Sequence, residues 1–350
     1  MSEAARGYRI LHDASLRSLN TLAVDAHARV LVELDALDAL PVALADAALG
    51  GQAPVLLGAG SNVLLAGDLD AVLRIRADAL DILGRDDAGI RVRAEAGLAW
   101  DTLVRQTLAL GLPGLENMAL IPGTVGASPI QNIGAYGAEI GDFVDVVEAF
   151  DLHAGRRVRL DRGACAFGYR ESVFKRQSGR FIVLAVELLL PASPVLRLDY
   201  SGLREELAAM GVTAPTAVDV AEAVTRVRRS KLPDWRVLPN AGSFFKNPMV
   251  PADLAEALAT RHPGMPSWPG DAPGLRKLSA AWLIERCGWK GRRIGDAGIY
   301  AGHALVLVNH GSASGAELLA LARRVTADVE ATFGVALDPE PRILGAETPA

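Results

Sequence analysis

The stretch NAGSFFKNP, Asn240 to Pro248, sets a serine hydroxyl and an asparagine amide around two adjacent phenylalanines. In an extended chain successive side chains alternate faces, so Ser243, Phe245 and Asn247 share one side and Phe244 and Lys246 the other. Either a turn runs into a strand here, or a small polar site is being framed. A serine hydroxyl is a very weak acid, but a carbanion-like enolate is basic enough to take its proton. Turn chemistry in Asn-Ala-Gly-Ser accounts for the same residue without catalysis. Arg170, in Gly-Tyr-Arg-Glu, offers a planar fork for a carboxylate, or a salt bridge to Glu171. Glu340 lies in Asp-Pro-Glu-Pro-Arg, where the following prolines bias Asp338 and Glu340 to extended backbones. Beside another carboxylate it would hold a proton and donate a hydrogen bond; otherwise it is a surface acid between turn prolines.

Two glycine loops without charge accompany these residues. Asn117 to Ala138 runs 22 residues with no charged side chain and four glycines, in a chain that is 22% charged. Glycines let backbone N–H groups approach a ligand closely, so such a loop can cradle a phosphate through main-chain dipoles alone. GAGSN, Gly58 to Asn62, is a shorter candidate of the same kind. Packing of both loops between lobes is the alternative. Gly58 to Val63 lacks the third glycine of the dinucleotide fingerprint, and there is no Walker-A lysine. The six histidines show no metal-ligand spacing, so no metal site is expected.

The elements that must position these groups read as α+β. Strands are expected at Arg29–Leu34, Pro54–Leu57, Ala71–Arg76 and Ile90–Ala96, then in VDVVEAFDL, RRVRLD and RFIVLAVELLL. Asp35 is placed to cap a helix carrying Leu37, Leu40 and Leu44, stopped by Gly50-Gly51. Further helices are expected at Trp100–Leu110, closed by Gly111, and at Ala217–Arg229, Pro251–Arg261, Leu278–Cys287 and Ser314–Thr332. Pro191 and Pro194 mark a break. At 350 residues, half of them hydrophobic, two or three domains are expected. The net charge of −5 argues against a broad nucleic-acid surface. Two cysteines imply no disulfide framework, and no apolar run suits a signal peptide or a membrane helix. A cytoplasmic protein is expected.

Six segments carry a resemblance: GAGSN, GLENMALIPGTVGASPIQNIGAYG, FGYRESVFK, RSKLPD, NAGSFFKNP and DPEPR, in that order. From about Asn20 to Arg342 the chain resembles the UDP-N-acetylenolpyruvoylglucosamine reductase family, in its longer subtype with a tyrosine loop. The resemblance implies a two-subdomain FAD-binding fold of the vanillyl-alcohol-oxidase type plus a C-terminal α+β substrate-binding domain. Its expected parts are 1–77 joined by 336–350, then 78–215, then 216–335. It also implies noncovalent FAD, NADPH as hydride donor, and reduction of UDP-N-acetylglucosamine enolpyruvate to UDP-N-acetylmuramate by a probable monomer.

Carried over residue by residue, the resemblance makes Ser243 the proton donor, with Arg170 and Glu340 completing the catalytic set. Tyr200, Lys231 and Asn247 would bind the nucleotide diphosphate, with Arg228 adding charge. Without the family, Lys231 is a solvated lysine and Tyr200 a turn aromatic. FAD would be held by Gly58, Gly60, Ser61 and Asn62, by Pro122, Gly123, Thr124, Gly126, Ser128, Gln131, Asn132, Gly134, Tyr136 and Gly137, and by Arg342. Three positions depart from the family pattern: Leu22-Ala23 where an aromatic is usual, Trp235 where proline is common, and His303 where some relatives carry glutamine. A flavin oxidase of small alcohols or hydroxy acids, and a nucleotide-sugar-binding regulator without catalysis, are the rival readings.

Overall fold

Alternating and continuous apolar runs give this chain its sheets. The His27–Leu34 strand buries every residue from Val30 to Leu34. Among them is Glu33, which accepts from Arg9 Nε at 2.6 Å and pairs with Arg74 and Arg76 at 3.0 and 3.5 Å. Burial alone would push its carboxyl pKa up; the three guanidinium groups bring it below the usual range.

A computed structural model describes residues 6–346 other than Ser201. Residues 1–5 and 347–350, the outer ends of the expected first part, and Ser201 of LDYSGL lie outside the described residues. Contacts divide the chain into two interleaved units. One comprises residues up to Ala14, Ala28–Ala59 and Asp70–Ser230; the other comprises Ser15–His27, Gly60–Leu69 and Lys231 onward.

The first unit holds two sheets. One runs in the order Tyr8–Ser15, His27–Leu34, Leu69–Ile75, Val55–Leu56, with the last pair parallel. The other is five-stranded and antiparallel, ordered Arg156–Asp161, Val144–Asp151, Phe181–Pro191, Gly89–Glu95, Leu80–Asp86. The Trp100–Ala109 helix buries Trp100, Leu103 and Val104 in a core shared with Val147, Val186 and Val224 of the Ala217–Lys231 helix. Asp35 caps no helix: it pairs with Arg76, and the helical stretch starts as a 3-10 turn at Leu37 before Leu40–Leu44. Pro41 fits there because the first helical turn needs no N–H from it.

The second unit centres on a four-stranded sheet ordered Asn240–Ser243, Val306–Asn309, Ala297–Ile299, Arg293–Ile294. Against it packs the Gly315–Phe333 helix, opened by a capping box in which Ser314 and Glu317 bond reciprocally. The Arg342–Leu344 strand returns parallel to Val63–Leu65. Leu22, at the first departure from the family pattern, is fully buried, and its carbonyl accepts from Asn309 at 3.0 Å.

Candidate active site

In the first unit the long uncharged loop is stitched to the end of a strand and the start of a helix. Trp100 N donates to Gly123 O, Val125 N to Leu98 O and Gly126 N to Ala96 O, at 2.8–3.1 Å. A Cβ on Gly126 would lie 2.6 Å from that of Ala96, and one on Gly58 2.9 Å from Thr124 Oγ1. The first glycine of GAGSN therefore abuts the long loop, and its lack of a side chain makes room for that of Thr124. Pro122 and Gly137 are exposed and Gly123, Thr124, Gln131 and Gly134 half-buried. Ser128 and Asn132 face inward instead. Ser128 donates to Val125 O, while Asn132 donates to Glu139 and Gly168 O and accepts from Gly141 N. Their side chains hold the loop's shape, so a ligand would meet them only through the backbone.

Seven non-glycine residues have left-handed backbones among those described, and Leu120, Asn132, Tyr136, Ala166 and Arg170 are five of them. Such conformations persist only where surrounding structure enforces them, and they gather at binding sites. Arg170 donates to Gly134 O at 3.0 Å, and its carbonyl accepts from Lys175 Nζ at 2.6 Å. Glu171 accepts from the Ser172 amide and lies 4.0 Å from Arg176.

Arg228 is the other cation here. Its Nε is buried without a hydrogen-bond partner among the described residues. Burial holds its pKa below the usual arginine range; the charge of Arg170 adds to this, while Tyr136 and Asp101 oppose it. Tyr136 is buried, and Tyr200, 49% exposed, stands edge-on to it with ring centroids 4.9 Å apart. Two guanidinium groups sensing each other beside two tyrosines form a place for an anion.

In the second unit, Asn240–Ser243 pairs with Val306–Asn309, but the register slips between Asn240 and Ser243, where Gly242 has φ +70°. Phe244 and Phe245 are both buried, so the segment is covered on both of its aromatic side chains. Beyond Ser243 the chain pairs with the proline-rich segment instead. Glu340 N donates to Phe244 O at 2.8 Å, Lys246 N to Asp338 O at 2.9 Å, and Phe245 bridges Pro339. This sets Glu340 opposite Phe244, the residue that follows Ser243 in the chain. Arg342 N donates to Asn62 O at 3.1 Å, and the amides of Gly60, Ser61 and Asn62 have no acceptor among the described residues.

Asn247 Oδ1 accepts from Ala280 N at 3.0 Å at the start of a helix, which leaves its NH2 group for a ligand. Lys231 is exposed. His303 Nδ1 accepts from Leu305 N at 3.2 Å, so the neutral ring carries its proton on Nε2. Burial first, then Lys231 and Lys290, lower its pKa. The expected residues thus divide between the units: Gly58, the long loop, Arg170, Tyr200 and Arg228 in one; Gly60–Asn62, Lys231, Ser243, Asn247, Glu340 and Arg342 in the other. Sequence reasoning passed over Asn117 and Arg197, which tie the Tyr200 segment to the long loop; an asparagine in an uncharged loop and a lone surface arginine gave no signal.

A family model described as an FAD binding domain matches residues 28–161, and one described as the UDP-N-acetylenolpyruvoylglucosamine reductase C-terminal domain matches residues 233–344. The chain is thus an FAD-binding oxidoreductase with an added C-terminal domain. UDP-N-acetylenolpyruvoylglucosamine reductase of Xanthomonas axonopodis pv. citri is 55% identical over 349 residues, covering 99% of each chain. That of Xanthomonas euvesicatoria pv. vesicatoria is 56% identical over 348 residues, again covering 99% of each. The crystal structure of the Thermus caldophilus reductase superposes with a TM-score of 0.65 at 25% identity, covering 96% of this chain and 98% of that one. The chain belongs to the UDP-N-acetylenolpyruvoylglucosamine reductase family.

Proposed function

We propose that this protein reduces UDP-N-acetylglucosamine enolpyruvate to UDP-N-acetylmuramate, a step in peptidoglycan precursor synthesis, using NADPH and noncovalent FAD. The observation that supports this reading is the backbone pairing of the DPEPR segment with the strand end after Ser243, which sets Glu340 opposite Phe244. The residues fit FAD: the uncharged long loop and the amides of Gly60, Ser61 and Asn62, which have no acceptor among the described residues, offer main-chain donors to phosphates, and Arg342, whose amide donates to Asn62 O, would add a cation. When bound, FAD relays hydride from NADPH to the terminal alkene carbon of the substrate.

This chain's residues do the rest. Arg170 grips the substrate carboxylate with its planar fork, where negative charge develops as hydride arrives. Glu340, protonated beside that carboxylate, donates a hydrogen bond to the developing enolate. Ser243 gives its proton to the carbon next to the carboxylate, completing the lactyl ether. Lys231, Asn247, Tyr200 and Arg228 hold the diphosphate. We keep the three-part domain division, a cytoplasmic monomer, and the closing of Tyr200 over substrate as parts of this reading.

An anaerobic visible spectrum tests it. Yellow protein should bleach with NADPH and regain its colour on addition of UDP-N-acetylglucosamine enolpyruvate. Bleaching without recovery would reject the substrate; colourless protein that cannot be reconstituted with FAD would reject the whole proposal.

A further inference from the structure

From Leu196 to Tyr200 the chain crosses the first unit without joining any strand or helix. It is held in another way. Leu196 and Leu198 pack against the core, turning Arg197 outward. Asn117 Nδ2 donates both to Arg197 O at 2.8 Å and to Tyr136 O at 2.9 Å, a stitch between this segment and the long loop. Arg197 makes a second stitch. Its Nη1 donates to Gly137 O at 2.8 Å and to Asp142 Oδ2 at 2.5 Å, and its guanidinium lies 5.7 Å from the Phe143 ring centroid.

The acceptor at Gly137 matters. Tyr136 and Gly137 form the two-residue tip of a hairpin between Gly134–Ala135 and Ala138–Glu139, both with positive φ. Such a tip is rigid because only left-handed residues fit it. It presents the Tyr136 ring to Tyr200 and the next carbonyl to Arg197. One guanidinium thus fixes the segment against the same turn that Tyr200 rests on.

We infer that Arg197 is a positioning residue, a latch that keeps Tyr200 docked on Tyr136. The consequence for substrate rests on the proposed role of Tyr200, with its docked position as the one that closes over substrate. An exposed ion pair with one further carbonyl is a weak tie, so the latch biases the segment without locking it. Losing it lowers the docked fraction, and substrate affinity falls in proportion.

The test uses FAD-loaded enzyme and its Arg197→Ala variant. Hydrogen exchange across 196–204 should quicken. KM for UDP-N-acetylglucosamine enolpyruvate should rise about 3- to 10-fold, with kcat and bleaching by NADPH unchanged. In a Tyr200→Ala background, Arg197→Ala should add nothing further. Arg197→Lys, which keeps a charge toward Asp142, should fall between the two and serves if the alanine variant does not fold. Unchanged exchange overturns the latch, as does an equal KM rise with and without Tyr200. Quickened exchange with normal KM in both Arg197→Ala and Tyr200→Ala leaves the latch standing and rejects Tyr200 as a substrate residue.

Discussion

Arg228 has no structural task that the fold reveals. A half-buried guanidinium whose Nε is buried with no hydrogen-bond partner among the described residues, and whose charge Arg170 opposes, is destabilising unless an anion joins it. Arg228→Met should therefore leave the melting temperature unchanged or higher while raising KM for the UDP-substrate about 30-fold or more. A clear drop in melting temperature would mark a structural arginine instead. Ser243→Ala should keep bleaching by NADPH yet slow recovery by substrate by about 10²–10⁴-fold, the usual weight of a general acid. Equal slowing of both half-reactions would remove Ser243 from the proton step. At this scale Ser243, Arg170 and Glu340 stood out in the sequence because each sits in a distinctive motif. The surroundings of Phe244 and Phe245 did not, because a left-handed glycine shifts the register and a distant segment supplies the pairing. Arg197 was illegible for a related reason: its acceptors lie on a hairpin far away in sequence.

Elements with strong periodicity were readable to within a few residues, among them Val144–Asp151, Phe181–Pro191 and Gly315–Phe333. Tyr8–Ser15 and Leu80–Asp86 were not, since both are largely exposed and lack an apolar rhythm. The hairpin joining Val144–Asp151 to Arg156–Asp161 depends on Asp151, which accepts from Arg180 Nη2 at 2.7 Å and from the amides of His153 and Ala154. Chiefly through Arg180, its pKa falls from 3.8 to about 2. The unfolded chain therefore binds that proton first, so this stabilisation is complete above the unfolded value and disappears as pH falls through the folded one. Asp151→Asn should be less stable at neutral pH but show a flatter loss from about pH 5 to about pH 2, followed by urea unfolding. Parallel slopes in both proteins would contradict this. Gly60→Ala should fail more severely: its Cβ would lie 2.1 Å from Leu19 O, at φ +61°. A loss of about 1–3 kcal/mol or more, together with weakened FAD retention, should appear in thermal melts of holoenzyme; an unperturbed melt would show that Leu19 and Asn20 can retreat.

For the molecule as a whole, the units interleave at crossings near Ser15, His27, Gly60, Leu69 and Lys231. Those near Ser15 and His27 carry none of the proline or glycine punctuation by which a sequence shows its joints, and the visible breaks at Pro191 and Pro194 fall inside the first unit. One short segment, 338–344, pairs Glu340 with Phe244 and Arg342 with the end of GAGSN at Asn62. A chain ended after Gly334 should therefore bind no FAD and unfold at lower urea than the full protein; retained yellow colour would show that the segment is dispensable for the cofactor. On the ribosome, this segment emerges after every other element described. Earlier parts of a nascent chain can fold as they appear, but the acid and the cation that complete the site arrive after them. Until that segment has emerged, a growing chain holds neither of these two groups of the proposed site.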